Sequence, residues 1–207
     1  MDQSRKDTRL HIFLLGSLAA VFVWSFIGCY DLFTWFLEAL PVIIGAVIVV
    51  SIYRRFRLTS FTLVLIWLHA IILLVGAHYT YSRMPLFNWI RDVFELSRNH
   101  YDRLGHVAQG FVPAILAREV LLRKSPLRRG KWLFSIIVCI CLAISAAYEL
   151  FEAAVAITSR DDAIAFLATQ GDVWDTQKDM ALCLISAVIS LLTLSRFHDR
   201  ALEKLGG

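Results

Sequence analysis

Side chains that can bind metal ions recur at helical spacing in separate segments of the chain. The segment YDRLGHVAQG places Asp102, His106 and Gln109 at positions i, i+4 and i+7, which lie on one face of a helix. The segment YELFE places Glu149 and Glu152 three residues apart, again on one face. Each segment is therefore predicted to direct several polar groups to one side of its helix.

Two further segments supply groups of the same kind. GDVWDTQKDM places Asp172, Asp175 and Asp179 at i, i+3 and i+7, and GAHYTY ends an apolar run with His78 and Tyr79. Imidazole and carboxylate together suit a divalent metal such as Zn, Mn or Fe. Such an ion lowers the pKa of its bound water, so hydrolysis is the reaction that these residues would support.

The expected roles follow from the chemistry of each side chain. A carboxylate beside an activated water can act as general base, and this role is assigned to Glu149, Glu152 and Asp179. The alternative is a purely structural network, since polar side chains also hold membrane helices together. The candidate metal ligands are His78, Asp102, His106, Asp172 and Asp175, and the supporting polar groups are Gln109, Tyr79, Tyr148 and Gln177.

These residues must be positioned by membrane helices, because the 207-residue chain is 58% hydrophobic and has a mean hydropathy of +0.63. A helix needs about 20 mainly apolar residues to cross a bilayer. Six runs meet this requirement and predict an all-α, polytopic transmembrane bundle that forms one domain over residues 1–207. The runs cover residues 10–29, 35–53, 61–80, 104–122, 132–157 and 179–196, of which the fourth is the most polar.

Charge predicts how the bundle is oriented. Fifteen of the 21 Lys and Arg residues fall in or beside the two terminal tails and the second and fourth connections. Short cytoplasmic loops are enriched in these residues, so we expect both termini in the cytoplasm. Twelve of the 17 Asp and Glu residues fall in the opposite, outer half. Acids inside membrane helices are costly without a partner or ligand, which predicts a site near the outer leaflet.

The long outer connections have different patterns. Between the third and fourth predicted helices, Leu86, Trp89 and Val93 recur at helical spacing, so we expect an interfacial amphipathic helix, with a solvated loop as the alternative. The fifth connection is expected to be a solvated loop that carries Arg160, Asp161 and Asp162.

Four motifs carry a resemblance to a known family. They are GAHYTYSRMPLFNW, YDRLGHVAQGF, AAYELFEAA and GDVWDTQKDM, in that order along the chain. With these motifs the chain resembles the YjdF family of bacterial inner-membrane proteins over nearly its whole length. The resemblance implies several membrane spans in the inner membrane, and it brings no established reaction with it.

Three classes of function remain open. The first is a membrane enzyme, a metal-dependent hydrolase or transferase acting on a lipid or an envelope precursor in the bilayer. The second is a small cation or proton transporter, for which His69, Gln109 and Ser145 offer only a thin pathway. The third is a non-enzymatic assembly or sensory subunit. Nucleic acid is not expected as a partner, because the basic residues are accounted for by membrane topology.

Overall fold

The computed structural model describes residues 2–159 and 169–206, and within these ranges the regular structure is entirely helical. Arg160, Asp161 and Asp162, expected in a solvated loop, lie outside the described residues. The described helices are α1 Asp2–Phe26, α2 Leu32–Ile52, α3 Ser60–Tyr79, α4 Pro85–Val93, α5 Tyr101–Lys124, α6 Lys131–Ser159 and α7 Asp175–Gly206, with a 3-10 turn at Tyr81–Arg83.

Five of these helices, α1, α2, α3, α6 and α7, are long and apolar enough to cross a membrane. Helix α5 has 24 residues and so a length of about 36 Å, which also exceeds the hydrocarbon thickness of about 30 Å. It is less apolar because it contains several polar residues, and neighbouring helices bury many of these, including His106 and Glu119. The predicted all-α polytopic bundle is confirmed, and its fourth predicted span is a helix covered by protein neighbours.

Local sequence explains several helix boundaries. Asp31 caps α2 by accepting a hydrogen bond from the backbone N–H of Thr34 at 2.7 Å. Thr59 caps α3 in the same way through Thr62. Helix α3 ends at Tyr79. The next residue, Thr80, has a φ of +65° in the left-handed region, and the chain turns sharply there. Pro85 then starts α4, where its missing N–H costs nothing.

Helix α4 corresponds to the amphipathic helix expected between the third and fourth predicted spans. Its apolar side chains Leu86, Trp89 and Val93 are between half and two-thirds exposed. The rest of the described chain therefore leaves its apolar face uncovered. Such a face is typical of a helix that lies along a membrane surface.

The helices form two apolar cores. One core lies among α1, α2 and α3, and the other lies among α5, α6 and α7. The α1–α3 core includes Trp35, Ala39, Val42, Leu74 and Ala77. The α5–α7 core includes Ala114, Leu133, Ile137, Cys141, Cys183 and Ala187.

Hydrogen bonds show which helix ends lie together. His11 near the start of α1 bonds to the hydroxyl of Tyr53, just after α2, at 2.7 Å. Ser60 at the start of α3 donates to Asp7 of α1 at 3.1 Å. Glu119 near the end of α5 is bonded to the start of α3 and to the end of α7. We call this the basic end, because the basic tails and connections lie here, and the opposite one the acidic end. Both described termini lie at the basic end.

Helices α5 and α7 approach each other closely at Gly110. A Cβ atom at this position would overlap the backbone carbonyl of Cys183 and the hydroxyl of Ser186. The Ser190 hydroxyl also donates to the Phe111 carbonyl at 2.6 Å. Small residues at such contacts allow two backbones to touch, so α5 and α7 are locked together at mid-length.

Candidate functional site

Three potential metal ligands from two helices meet at the acidic end. Asp102 and His106 lie one turn apart on α5 and face Asp179 on α7, and one ligand atom from each lies within 4.8 Å of the others. All three residues are buried, with exposures of 5%, 3% and 2%. Metal–ligand bonds of about 2.1 Å place ligand atoms at most about 4.2 Å apart, so a small adjustment would let the three share one ion.

The ring of His106 is held in a defined orientation. Its Nδ1 lies 3.1 Å from Gln109 Oε1. Because the amide oxygen can only accept, Nδ1 carries the hydrogen and donates a hydrogen bond to it. Its Nε2 faces Asp102 Oδ1 at 3.7 Å and Glu149 Oε1 at 3.4 Å. Nε2 is therefore placed to act as a metal ligand or to exchange a proton with a carboxylate. Gln109, which the sequence predicts as a supporting polar group, contacts the His106 ring directly.

Helix α6 brings two more carboxylates to the same place. Glu149 and Glu152 are both 8% exposed, and Glu152 lies close enough to interact electrostatically with Asp102 and Asp179. The ring of Tyr148 stands 6.3 Å from the ring of His106. In the part of the chain that the structure describes, Glu149 Oε1 and Asp179 Oδ1 receive no hydrogen bond. We refer to Asp102, His106, Glu149, Glu152 and Asp179 as the carboxylate cluster.

The carboxylate cluster holds more acid than base. Among the described residues, Arg98 is the cation that pairs with it, through Nη2 at 3.7 Å from Asp102 Oδ2, and His106 carries charge only when protonated. A buried carboxylate that keeps its charge without a partner is strongly unfavourable. The cluster must therefore take up protons or a cation.

A second layer of charges covers the cluster at the acidic end. Arg98 pairs with Asp175, and Arg103 donates to Asp172 Oδ2 at 2.8 Å. Lys178 donates to the same Asp172 oxygen at 2.6 Å. Asp172 and Asp175, which the sequence predicts as metal ligands, are thus bound by basic side chains. We call this layer, which consists of Arg98, Arg103, Asp172, Asp175 and Lys178, the arginine layer.

Two groups in the connections, Asp172 of the arginine layer and the neighbouring His100, have lowered pKa values. The hydrogen bond from Lys178 lowers the pKa of Asp172 below 3.8, assisted by the backbone N–H of Trp174. Asp172 therefore stabilises the layer above pH 3.8, and its contribution is lost as the pH falls through the lowered pKa. Burial lowers the pKa of His100, and the neighbouring Arg103 lowers it further.

Three predicted residues lie away from the cluster. His78 stacks on Trp24 with ring centroids 4.4 Å apart, and its Nδ1 lies 3.2 Å from the Ser25 carbonyl oxygen. Tyr79 also contacts Trp24. The structure therefore places both predicted groups against α1, because they lie on a face of α3 that is turned from α5. Gln177, predicted as a supporting group, is exposed on α7.

Two residues at the acidic end were not singled out from the sequence. Glu38 of α2 is 1% exposed, and its Oε1 accepts a hydrogen bond from the Tyr81 backbone N–H at 3.3 Å. Its isolation in an apolar run was a signal that could have identified it. Arg98 is 3% exposed although it lies in a connection. Its neighbourhood resembles a solvated helix face, so the sequence carried no signal for its burial.

The basic end has a buried network of its own, which the sequence analysis also did not identify. Glu119 is 0% exposed and accepts hydrogen bonds from the start of α3 and from α5 and α7. Arg118 Nη1 lies 2.8 Å from His198 Nδ1, so His198 accepts there and donates through Nε2 to Glu119 at 3.1 Å. The other donors to Glu119 are Thr59 N and Oγ1, Thr62 Oγ1 and Arg123 Nη1, at 2.6–2.8 Å.

Comparison with known proteins agrees with the motifs. Residues 10–200 match the family model described as predicted membrane protein (DUF2238). The chain is 43% identical over 190 residues to Inner membrane protein YjdF of Escherichia coli (strain K12), and the match covers 92% of this chain and 91% of that protein. No solved structure matches the chain. The resemblance to the YjdF family is thereby confirmed.

Proposed function

Because the chain belongs to the DUF2238 family of predicted membrane proteins, we propose that it spans the bacterial inner membrane with its basic end and both termini in the cytoplasm. The concentration of Lys and Arg in the tails and connections of that end supports this orientation. The carboxylate cluster would then lie near the outer leaflet.

We further infer that Asp102, His106 and Asp179 bind a divalent cation, and that the protein is a hydrolase or transferase. The observation that carries this proposal is the approach of the three ligand atoms to within 4.8 Å in a buried site with excess acid. A bound cation would supply Lewis-acid chemistry and an acidified water. Glu149, 3.4 Å from His106, is the candidate proton acceptor, and Glu152 lies beside it.

The position of α4 supports a lipid or an envelope precursor as the substrate. Asn99, two residues before α5, donates to the Asn88 side chain at 2.8 Å and to the Met84 carbonyl at 3.0 Å. These bonds fix α4 beside the start of α5, which carries Asp102 and His106. An apolar surface helix next to a polar site suits a substrate with an acyl or prenyl tail and a polar headgroup.

Metal binding is tested with the purified full-length protein and Mn²⁺ or Zn²⁺. Isothermal titration is expected to give one site, and His106→Ala or Asp179→Asn should weaken binding by at least about 100-fold, because each removes a ligand. The matched control is Asp92→Asn, which neutralises an exposed acid of α4. Unchanged affinity in the ligand variants, or an equal loss in the control, would contradict the metal site.

Catalysis is tested separately from binding. Metal-loaded protein is incubated with extracted envelope lipids, and new products are identified by mass spectrometry. Glu149→Gln is expected to retain the metal and to lose turnover, because the amide cannot accept a proton. Normal turnover by this variant would remove Glu149 from the proposed mechanism, and a metal-binding protein without any turnover would remove the enzyme assignment.

A second candidate function, proton or cation transport, is favoured by the buried pair of Glu119 and His198. This pair lies about 20 Å from His106 along α5. Between the two ends, the buried Ser145 lies beside the Cys183 thiol and offers a hydroxyl in the otherwise apolar core. In sealed vesicles, cation or proton flux that Asp179→Asn abolishes would favour transport, whereas the enzyme proposal predicts no flux.

A further inference from the structure

A groove at the basic end combines arginine and leucine side chains. It lies between the end of α5, the connection to α6 and the end of α7, and has a volume of about 680 Å³. No residue of the carboxylate cluster lines it, and its Arg123 also belongs to the buried network of hydrogen bonds around Glu119, here called the Glu119 network. The lining residues are Leu122, Arg123, Leu127, Arg128, Arg129, Leu202 and Leu205.

The three arginines differ in how they are held. Arg123 Nη1 donates to Glu119 and to the Arg57 carbonyl, which fixes the guanidinium in place. Arg129 uses its Nε to bind Asp199 at 3.1 Å. Arg128 is exposed and has no hydrogen-bond or ion-pair partner in the described ranges. Arginine forks match the geometry of phosphate oxygens, so this wall of the groove suits a phosphate group.

The two carboxylates that pair with these arginines, Asp199 and Glu119, do not oppose an anion. Asp199 lies at the edge of the groove with a side-chain exposure of 26%, and it is paired with Arg118 at 2.6 Å as well as with Arg129. Its charge is therefore already compensated. Arg123 is likewise paired with Glu119, which leaves the charge of Arg128 as the uncompensated positive charge of the lining.

The depth of the groove in the membrane can be estimated from α7. Its 32 residues extend about 48 Å, compared with a hydrocarbon core of about 30 Å. Because Arg196, Arg200 and Lys204 are charged, the C-terminal turns of α7 belong to the part of the helix that extends beyond the hydrocarbon core. Trp132, at the start of α6, is 80% exposed, as is typical of the membrane interface. The groove therefore lies at the level of lipid headgroups.

From these observations we propose that the groove binds an anionic phospholipid of the leaflet at the basic end. The phosphate is held by Arg128 and Arg129, and the glycerol and first acyl carbons pack against the leucines. Basic sites between membrane helices bind anionic headgroups by this combination of charge and apolar contact. This site is independent of the carboxylate cluster and of the reaction proposed there.

The test measures the thermal unfolding of the full-length protein in neutral detergent with added lipid. Phosphatidylglycerol is expected to raise the unfolding temperature in a concentration-dependent manner, and phosphatidylcholine is not. Arg128→Gln should raise the phosphatidylglycerol concentration for half of the effect by about tenfold, the equivalent of one charged hydrogen bond. The variant should fold normally, because Arg128 is exposed and has no partner in the described ranges.

The matched control is Arg55→Gln, which removes an exposed arginine from the same end but outside the groove. Equal losses in Arg55→Gln and Arg128→Gln would overturn the proposal in favour of general charge attraction. An equal effect of phosphatidylcholine would show that the headgroup charge is not recognised. Glycerol phosphate and inorganic phosphate are further arms, and a shift equal to that of the lipid would identify a soluble anion instead.

Discussion

Replacing Glu119 with alanine is expected to lower the free energy of unfolding by about 3–5 kcal/mol, a loss typical of a broken buried charge network. The Glu119 side chain is 0% exposed and is the common acceptor for Thr59, Thr62, His198 and Arg123. Alanine leaves Thr59, Thr62 and His198 buried without this acceptor, whereas Arg123 keeps its bond to the Arg57 carbonyl. It also removes the hydrogen bonds that join the start of α3 to α5 at the basic end.

Denaturant-induced unfolding in mild detergent measures this effect. Glu119→Gln should cause a smaller loss, since an amide retains one acceptor oxygen but not the charge. The matched control is Glu203→Ala, which removes an exposed acid near the end of α7 and should change stability by less than about 0.5 kcal/mol. A Glu119→Ala protein as stable as the control would contradict the role assigned to the network.

Replacing Arg98 with alanine is expected to have a comparable effect at the acidic end, again about 3–5 kcal/mol. Arg98 is 3% exposed and pairs with Asp175 and, at 3.7 Å, with Asp102. The substitution leaves both buried carboxylates without this cation and removes the centre of the arginine layer. The acid excess of the carboxylate cluster beneath it increases as a result.

A double variant separates lost pairing from lost packing. Arg98→Leu combined with Asp175→Leu should recover much of the stability that Arg98→Leu alone loses, because the unpaired acid is removed with its partner. Arg91→Ala, which breaks the exposed pair with Asp92, is the control for loss of an arginine. Losses that simply add in the double variant would show that Arg98 and Asp175 do not stabilise each other.

Helical spacing predicts which residues of the candidate site share a helix face. Asp102 and His106 are one turn apart, and a straight helix keeps such residues on one face whatever surrounds it. The topology deduced from basic connections then brings the start of α7, and with it Asp179, to the level of His106. Both inferences rely on local geometry and chain direction, which a single sequence contains.

Other parts of the site depend on information that spacing does not contain. The chain turns at Thr80, with a φ of +65°, and so Tyr81 rather than His78 is directed toward α5. Arg98 is buried only because the connection before α5 folds over the carboxylate cluster. The burial of Glu119 depends on how α3, α5 and α7 meet.

The contact at Gly110 also determines which parts of the bundle can move. Sliding α5 along α7 would bring bulkier residues of α5 against the Cys183 carbonyl, so these two helices are expected to behave as one rigid body. Helix α3 is attached to this body by a hydrogen bond near the acidic end, where the Tyr101 hydroxyl donates to the Ile72 carbonyl at 2.7 Å.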